Sequence, residues 1–239
     1  MSLFASLFGS WRAREIIVTD VTRMQGDRLC VAGLAGKDTV RLAEPSPTTE
    51  MSASLGEIEL GQVLRVEVNP LRRYRPPHCE DCRWIPISLQ KIACLGPDEL
   101  HDRLAPGAVP SLGRAFGRVK YFASRGNPAY PPDRGKRSLA TIRAHDIRIY
   151  RHEGGMRADF GDSEDAWHML PVEGIAIRHH CEHCRRCLDA GHLCIPKALL
   201  RVGLGRPFRP DRGDLGCFAQ VNSIVTGNAD IHADRGAPA

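Results

Sequence analysis

Lysine is scarce: among 239 residues it occupies only positions 37, 91, 120, 136 and 197. The net charge of +5 therefore rests on arginine. A guanidinium offers a planar fork of donors that matches phosphate, whereas an ammonium is a point charge. A GC-rich coding sequence would also enrich arginine, so the bias points toward anionic partners without naming one. Long apolar runs are missing too. No stretch approaches the ~20 residues that a membrane-spanning helix needs, and no membrane partner is expected. The apolar opening from Met1 to Trp11 is short and has no basic segment before it. That argues against a signal peptide and for a flexible tail over residues 1–13. Walker loops, dinucleotide fingerprints and nucleophile–base pairs are likewise missing, so no catalytic residue is assigned and the expectation leans away from an enzyme. Nine cysteines without a secretory signal argue against a disulfide framework and for metal ligands or reduced thiols in a cytoplasmic protein.

What the chain does contain is β-pattern. Glu15–Thr19, Arg28–Ala32, Asp38–Leu42 and Gln62–Val68 are β-branched stretches separated by Gly-containing turns, which read as strands of a small barrel or sandwich. From Val63 to Val68, Val63, Arg65 and Glu67 alternate with Leu64, Val66 and Val68, so one face of that strand is buried. Pro97 followed by two acids opens a helix over 97–104, and Pro106-Gly107 closes it. Residues 111–138 are basic and rich in Gly and Pro, the composition of a linker or loop. Strand signals return in Thr141–Arg143, Ile147–Tyr150, Met156–Phe160, Ala166–Leu170, Leu199–Val202 and Cys217–Thr226. After 227 the composition is that of a flexible tail.

The densest chemistry lies between His179 and Cys194. Cys181, Cys184, Cys187 and Cys194 follow a Cys-x2-Cys-x2-Cys-x6-Cys spacing with histidines interleaved, and Cys79 and Cys82 form a second Cys-x-x-Cys. Such knuckles aim two thiolates at one centre. Three metal readings stand: a local zinc site within the second cluster, a zinc joining Cys79 and Cys82 to Cys181 and Cys184, or an iron–sulfur cluster. Free thiols in a surface loop are the plain alternative. Zinc is the leading expectation, as a structural ion bracing an insertion over 179–197. Cys30, Cys94 and Cys217 sit in apolar contexts and read as core residues.

Basic and aromatic residues intermingle in two places. Arg114 to Arg143 holds eight basic residues against one acid, with Phe116, Tyr121, Phe122 and Tyr130 among them. Leu71-Arg-Arg-Tyr-Arg75 repeats the mixture after a strand. Basic side chains neutralise phosphates and aromatic faces stack unpaired bases. Arg72, Arg73, Tyr74, Arg75, Arg118, Lys120 and Tyr121 are thus candidate contacts for single-stranded nucleic acid. A solvated linker whose aromatics tuck inward would look the same. His78, Glu80 and Asp81 form a weak acid–base or metal group that more often fixes a loop.

These residues carry a resemblance. Val18-Thr-Asp-Val-Thr-Arg-Met24, Arg28-Leu-Cys-Val-Ala-Gly33 and Val40-Arg41 resemble the opening of the dual OB-containing domain family. Pro77-His-Cys-Glu-Asp81 is similar to its Pro-His-x-Glu-Asp element. Arg137-Ser-Leu-Ala-Thr-Ile142, Arg157-Ala-Asp-Phe160 and Val202-Gly-Leu-Gly-Arg-Pro-Phe208 fit its second half. The resemblance implies an all-β fold with minor α content: two OB-like barrels in tandem, over 14–110 and 139–227, the second carrying the Cys/His-rich insertion. It also implies that Thr22, Arg23, Arg41, His78, Glu80 and Asp81 converge near one groove. The cysteine knuckles depart from the family pattern.

Three functions follow as expectations. The first is a zinc-braced protein binding single-stranded DNA or RNA. The second is an enzyme or sensor for a nucleotide or other small phosphorylated ligand, which convergence of the groove residues would favour. The third is an iron–sulfur redox or structural protein.

Overall fold

The structure, a computed structural model, describes residues 11–70, 76–122, 126–153, 155–184, 191–211 and 213–227. Arg72, Arg73, Tyr74, Arg75 and Cys187 lie outside the described residues. None of the helices described is long and apolar enough to cross a membrane.

In the first half, β1 (Arg12–Arg23), β2 (Leu29–Ala35), β3 (Asp38–Glu44), β4 (Gln62–Pro70) and β5 (Asp81–Trp84) form one barrel. β1, β2 and β3 pair antiparallel in turn, β3 pairs β5 in parallel, β5 pairs β4, and β4 returns to β1. That circuit closes the sheet and removes its free edges. Helix α1 (Thr49–Ser54), capped by the Thr48 hydroxyl, connects β3 to β4. Strand β6 (Gln90–Cys94) adds to β4 outside the circuit with all five residues exposed. Cys94 is therefore a surface residue rather than a core one. The alternation along β4 holds: Leu64, Val66 and Val68 are buried and Arg65 and Glu67 exposed.

The second half repeats the plan. β9 (Leu139–His152), β10 (Gly155–Asp162) and β11 (Trp167–Pro171) form a meander, and β12 (His192–Leu204) lies between β9 and β13 (Cys217–Val225). The sheet curls until Val172, just past β11, meets Val221 of β13 in a parallel bridge. Helix α4 (Ile175–His183) joins the third strand to the fourth, the position α1 holds in the first half. Two tandem OB-like barrels result.

Between the barrels lie α2 (Pro97–Leu104), α3 (Leu112–Phe116), β7 (Tyr121–Phe122) and β8 (Pro128–Tyr130). The range 111–138 is thus more than a linker: β8 pairs with β13 and β7 with β8, extending the second sheet. Its Gly and Pro content hid strands of two or three residues. The range 179–197 is likewise more than an insertion. Its first residues complete α4 and its last belong to β12, where Leu193 and Ile195 pack on the second core. Cysteine and histidine at the other positions masked the alternation.

The two barrels meet along outward faces of β1, β12 and β13. β1 carries a bulge between Val18 and Asp20, and a bulge re-aims the side chains beyond it. Ile16, Val18 and Val21 point into the first core. Ile17, Asp20 and Thr22 consequently face the second barrel in succession. Ile17 meets Leu199, Val225 and α2's Leu100 and Leu104 in a separate apolar cluster. Asp20 meets Arg201 and Asn222. Thr22 reaches a cavity.

Candidate functional site

The middle layer of this interface is ionic. Asp20 accepts both Nε and Nη2 of Arg201, at 3.0 and 2.7 Å, and the amide of Asn222 at 3.1 Å. Arg201 also donates to the Thr141 hydroxyl. The Asp20 and Arg201 side chains are 0% and 2% exposed. Gly203, two residues on, makes room for this arrangement. A Cβ there would fall 2.4 Å from the Asn222 side-chain nitrogen.

Arg41 organises a second polar group beside it. Its Nε donates to Asp81 at 2.6 Å and its Nη2 to His78 Nδ1 at 2.9 Å and Ser138 Oγ at 3.0 Å. Asp81 uses its other oxygen to pair with Arg206 of the second barrel at 2.7 Å. Glu80 accepts from the Ser138 amide and hydroxyl and from the Leu139 amide, fastening the start of β9 to the first barrel. Burial, then the positive charges of Arg41 and Arg206, lower the His78 pKa to about 3. The ring is therefore neutral. Its Nδ1 accepts from Arg41, leaving Nε2–H to bond the Gly205 backbone.

Where these groups end, a cavity of about 160 Å³ opens between the barrels. Thr22, Arg23, Cys30, Arg41 and Ser46 line it from the first barrel, and Gly203, Gly205, Arg206, Gln220 and Asn222 from the second. Three guanidiniums border it and, among the described residues, no carboxylate does. Asp81 offsets Arg41 and Arg206 from behind. Arg23 is exposed and has no ion-pair partner among the described residues. A cavity lined by guanidinium donors, with the Arg23 charge left unpaired among the described residues, favours an anion. A larger groove of about 760 Å³ beside α2 mixes Arg143 and Lys197 with Asp98 and Asp102, and so offers no comparable preference.

All six expected groove residues come together here, in two roles. Thr22, Arg23 and Arg41 line the cavity. Asp81 and His78 hold Arg41, and Glu80 anchors Ser138. Arg206, Gln220 and Asn222 were not singled out by the sequence reading. The signal was present: polar residues at alternate positions of an otherwise apolar strand, and an arginine inside Val202–Phe208.

No family model and no curated protein matches this chain.

The chain's expected nucleic-acid contacts are partly committed elsewhere. Lys120 donates to the Leu215 carbonyl and pairs with Asp214, and the Tyr121 hydroxyl donates to the Asp214 carbonyl. Arg118 is exposed. OB barrels present oligonucleotides with the face of their second and third strands. In the first barrel that face holds Ala32 and Arg41, 0% and 5% exposed beneath the second barrel. A strand crossing it would have to part the halves.

Of the described sulfurs in the two knuckles, the buried ones lie in different cores. Cys82 lies in the first core and Cys181 in the second. Cys82 donates to the Arg41 carbonyl at 3.1 Å, and burial followed by the charge of Asp81 raises its pKa to about 12. Cys79 turns toward the Gly135 carbonyl. Without a metal this knuckle favours neutral thiols. Among the described residues no three of His, Cys, Asp and Glu group as metal ligands. Cys184 ends α4, and Cys194 is exposed on β12 opposite Arg148.

Proposed function

We propose that the chain binds a small phosphorylated ligand in the cavity between its barrels. The observation that carries this reading is three arginines, from both barrels, around a cavity that no carboxylate lines among the described residues. Arg23 and Arg206 are the ligand-facing cations, being the more exposed of the three. Arg41 sets the floor, rigid because Asp81, His78 and Ser138 fix its head group. Preorganised donors of this kind bind without first losing side-chain freedom. Thr22, Gln220 and Asn222 add neutral hydrogen-bonding capacity around the anion.

The test is calorimetric titration of the full chain with ribose 5-phosphate, against Arg23→Gln and Arg206→Gln. Each substitution removes one charge-assisted contact of ~1.5–3 kcal/mol, so affinity should fall at least tenfold. The fold should survive Arg23→Gln with little change in stability, since that side chain is exposed. Unchanged affinity in both variants would sink the reading.

A further inference from the structure

The outward face of β13 does not stop at the cavity. Phe218, Gln220 and Asn222 alternate with Cys217, Ala219 and Val221, which are buried in the second core. Side chains two apart on a strand share a face and stand roughly 7 Å from one another. Phe218 therefore stands next to Gln220, a cavity residue. The backbone repeats the link, because the amide of Gly205, also at the cavity, donates to the Phe218 carbonyl. Phe208 packs edge-on against Phe218 with ring centroids 6.3 Å apart, yet remains 60% exposed. Tyr121 meets Phe218 from another side at 6.1 Å. The segment that carries Arg206 to Asp81 thus presents Phe208 to solvent two residues later.

Size argues in the same direction. A cavity near 150 Å³ accommodates about one benzene, so 160 Å³ takes a phosphate group but not a nucleoside with it. The rest of a phosphorylated ligand must leave along the cavity mouth. From Gln220 the same face of β13 leads to Phe218 and, packed against it, Phe208. An aromatic face rewards a flat π-system over a sugar alone.

We propose that the ligand is a nucleoside 5′-phosphate, its phosphate among Arg23, Arg41 and Arg206 and its base against the exposed ring of Phe208. This rests on the phosphate reading of the cavity. Calorimetry on the full chain with AMP, ribose 5-phosphate and adenosine separates the two. AMP should bind about tenfold or more tighter than ribose 5-phosphate. Phe208→Ala should remove most of that advantage and leave ribose 5-phosphate binding as it was. Phe208 is exposed, so the variant should fold; an unchanged melting temperature verifies it. Equal affinity for AMP and ribose 5-phosphate overturns the nucleoside assignment while the phosphate site stands. An AMP advantage that persists in Phe208→Ala also overturns it, since the base then lies elsewhere. No binding of either phosphate overturns both readings.

Discussion

His78 is a neutral imidazole wedged against a guanidinium, and its burial makes it a sensor of acid. Its folded pKa of about 3 lies below the 6.5 of an unperturbed histidine. Between those values the unfolded chain binds a proton that the folded chain refuses. Stability therefore falls as pH falls from about 6.5 toward 3, by up to about 1.4 kcal/mol per unit. A charged ring would face Arg41 and Arg206, with Asp81 alone to offset them. In His78→Asn the side-chain oxygen can still accept from Arg41, but nothing titrates. Urea midpoints measured from pH 7 to pH 4.5 should fall less steeply in this variant than in the parent chain. Parallel slopes would show that His78 takes up no proton on unfolding.

At the scale of elements, β1 and β12 are held opposite each other by one buried ion pair. Arg201 and Asp20 are almost wholly removed from water, and a buried pair of this kind is weak evidence for stability because both ions lose hydration. Removing one partner is another matter. Asp20→Ala leaves the guanidinium unmatched and should cost about 3–5 kcal/mol, while Asp20→Leu with Arg201→Met should recover most of that loss. Denaturant unfolding of the three variants decides it; a double variant as unstable as the single would mean the pair itself supplies the cohesion. Much of this element pattern was legible in the sequence. The strands over 62–70 and 217–225 and the helix over 97–104 follow from periodicity and end signals. The pairing of Asp20 with Arg201 was not, because it depends on a bulge and on contacts 181 residues apart. The short β5, β7 and β8 escaped for a different reason: two to four residues are too few to show a period. Cysteine spacing did not reveal that Cys82 points into a core. Zinc stays a proposal for the α4–β12 connection, where Cys181, Cys184 and Cys194 flank Cys187 in the sequence. Elemental analysis should find one zinc per chain, kept in Cys79→Ser and lost in Cys184→Ser. A metal-free protein would end that proposal, and iron would turn it toward a cluster.

For the whole molecule the question is what makes two barrels one body. The ionic layer cannot supply much, since separating the barrels would return Asp20 and Arg201 to water. The cavity layer adds the Asp81–Arg206 pair and the Glu80–Ser138 bonds across the halves, but such polar contacts replace bonds to water and return little net stability. Cohesion must come from the apolar layer, where Leu100 and Leu104 of α2 lie against Leu199 and Val225, with Ile17 and Leu34 packed alongside. Helix α2 then acts as a clamp between the halves, although it belongs to neither sheet. Burying a leucine side chain contributes ~1.5–3 kcal/mol, so this layer alone can couple the unfolding of both barrels. The parent chain should accordingly unfold in urea as one transition, with fluorescence and far-ultraviolet dichroism coinciding. Leu104 is 1% exposed; Leu104→Asp drives a charge into the layer and should split that transition in two, one per barrel. The phosphorylated ligand should draw the two transitions back together, because it binds groups from both halves and stabilises the joined state by mass action. A single unshifted transition in Leu104→Asp would move the source of cohesion away from α2. Two transitions that the ligand leaves apart would mean that it binds one barrel alone.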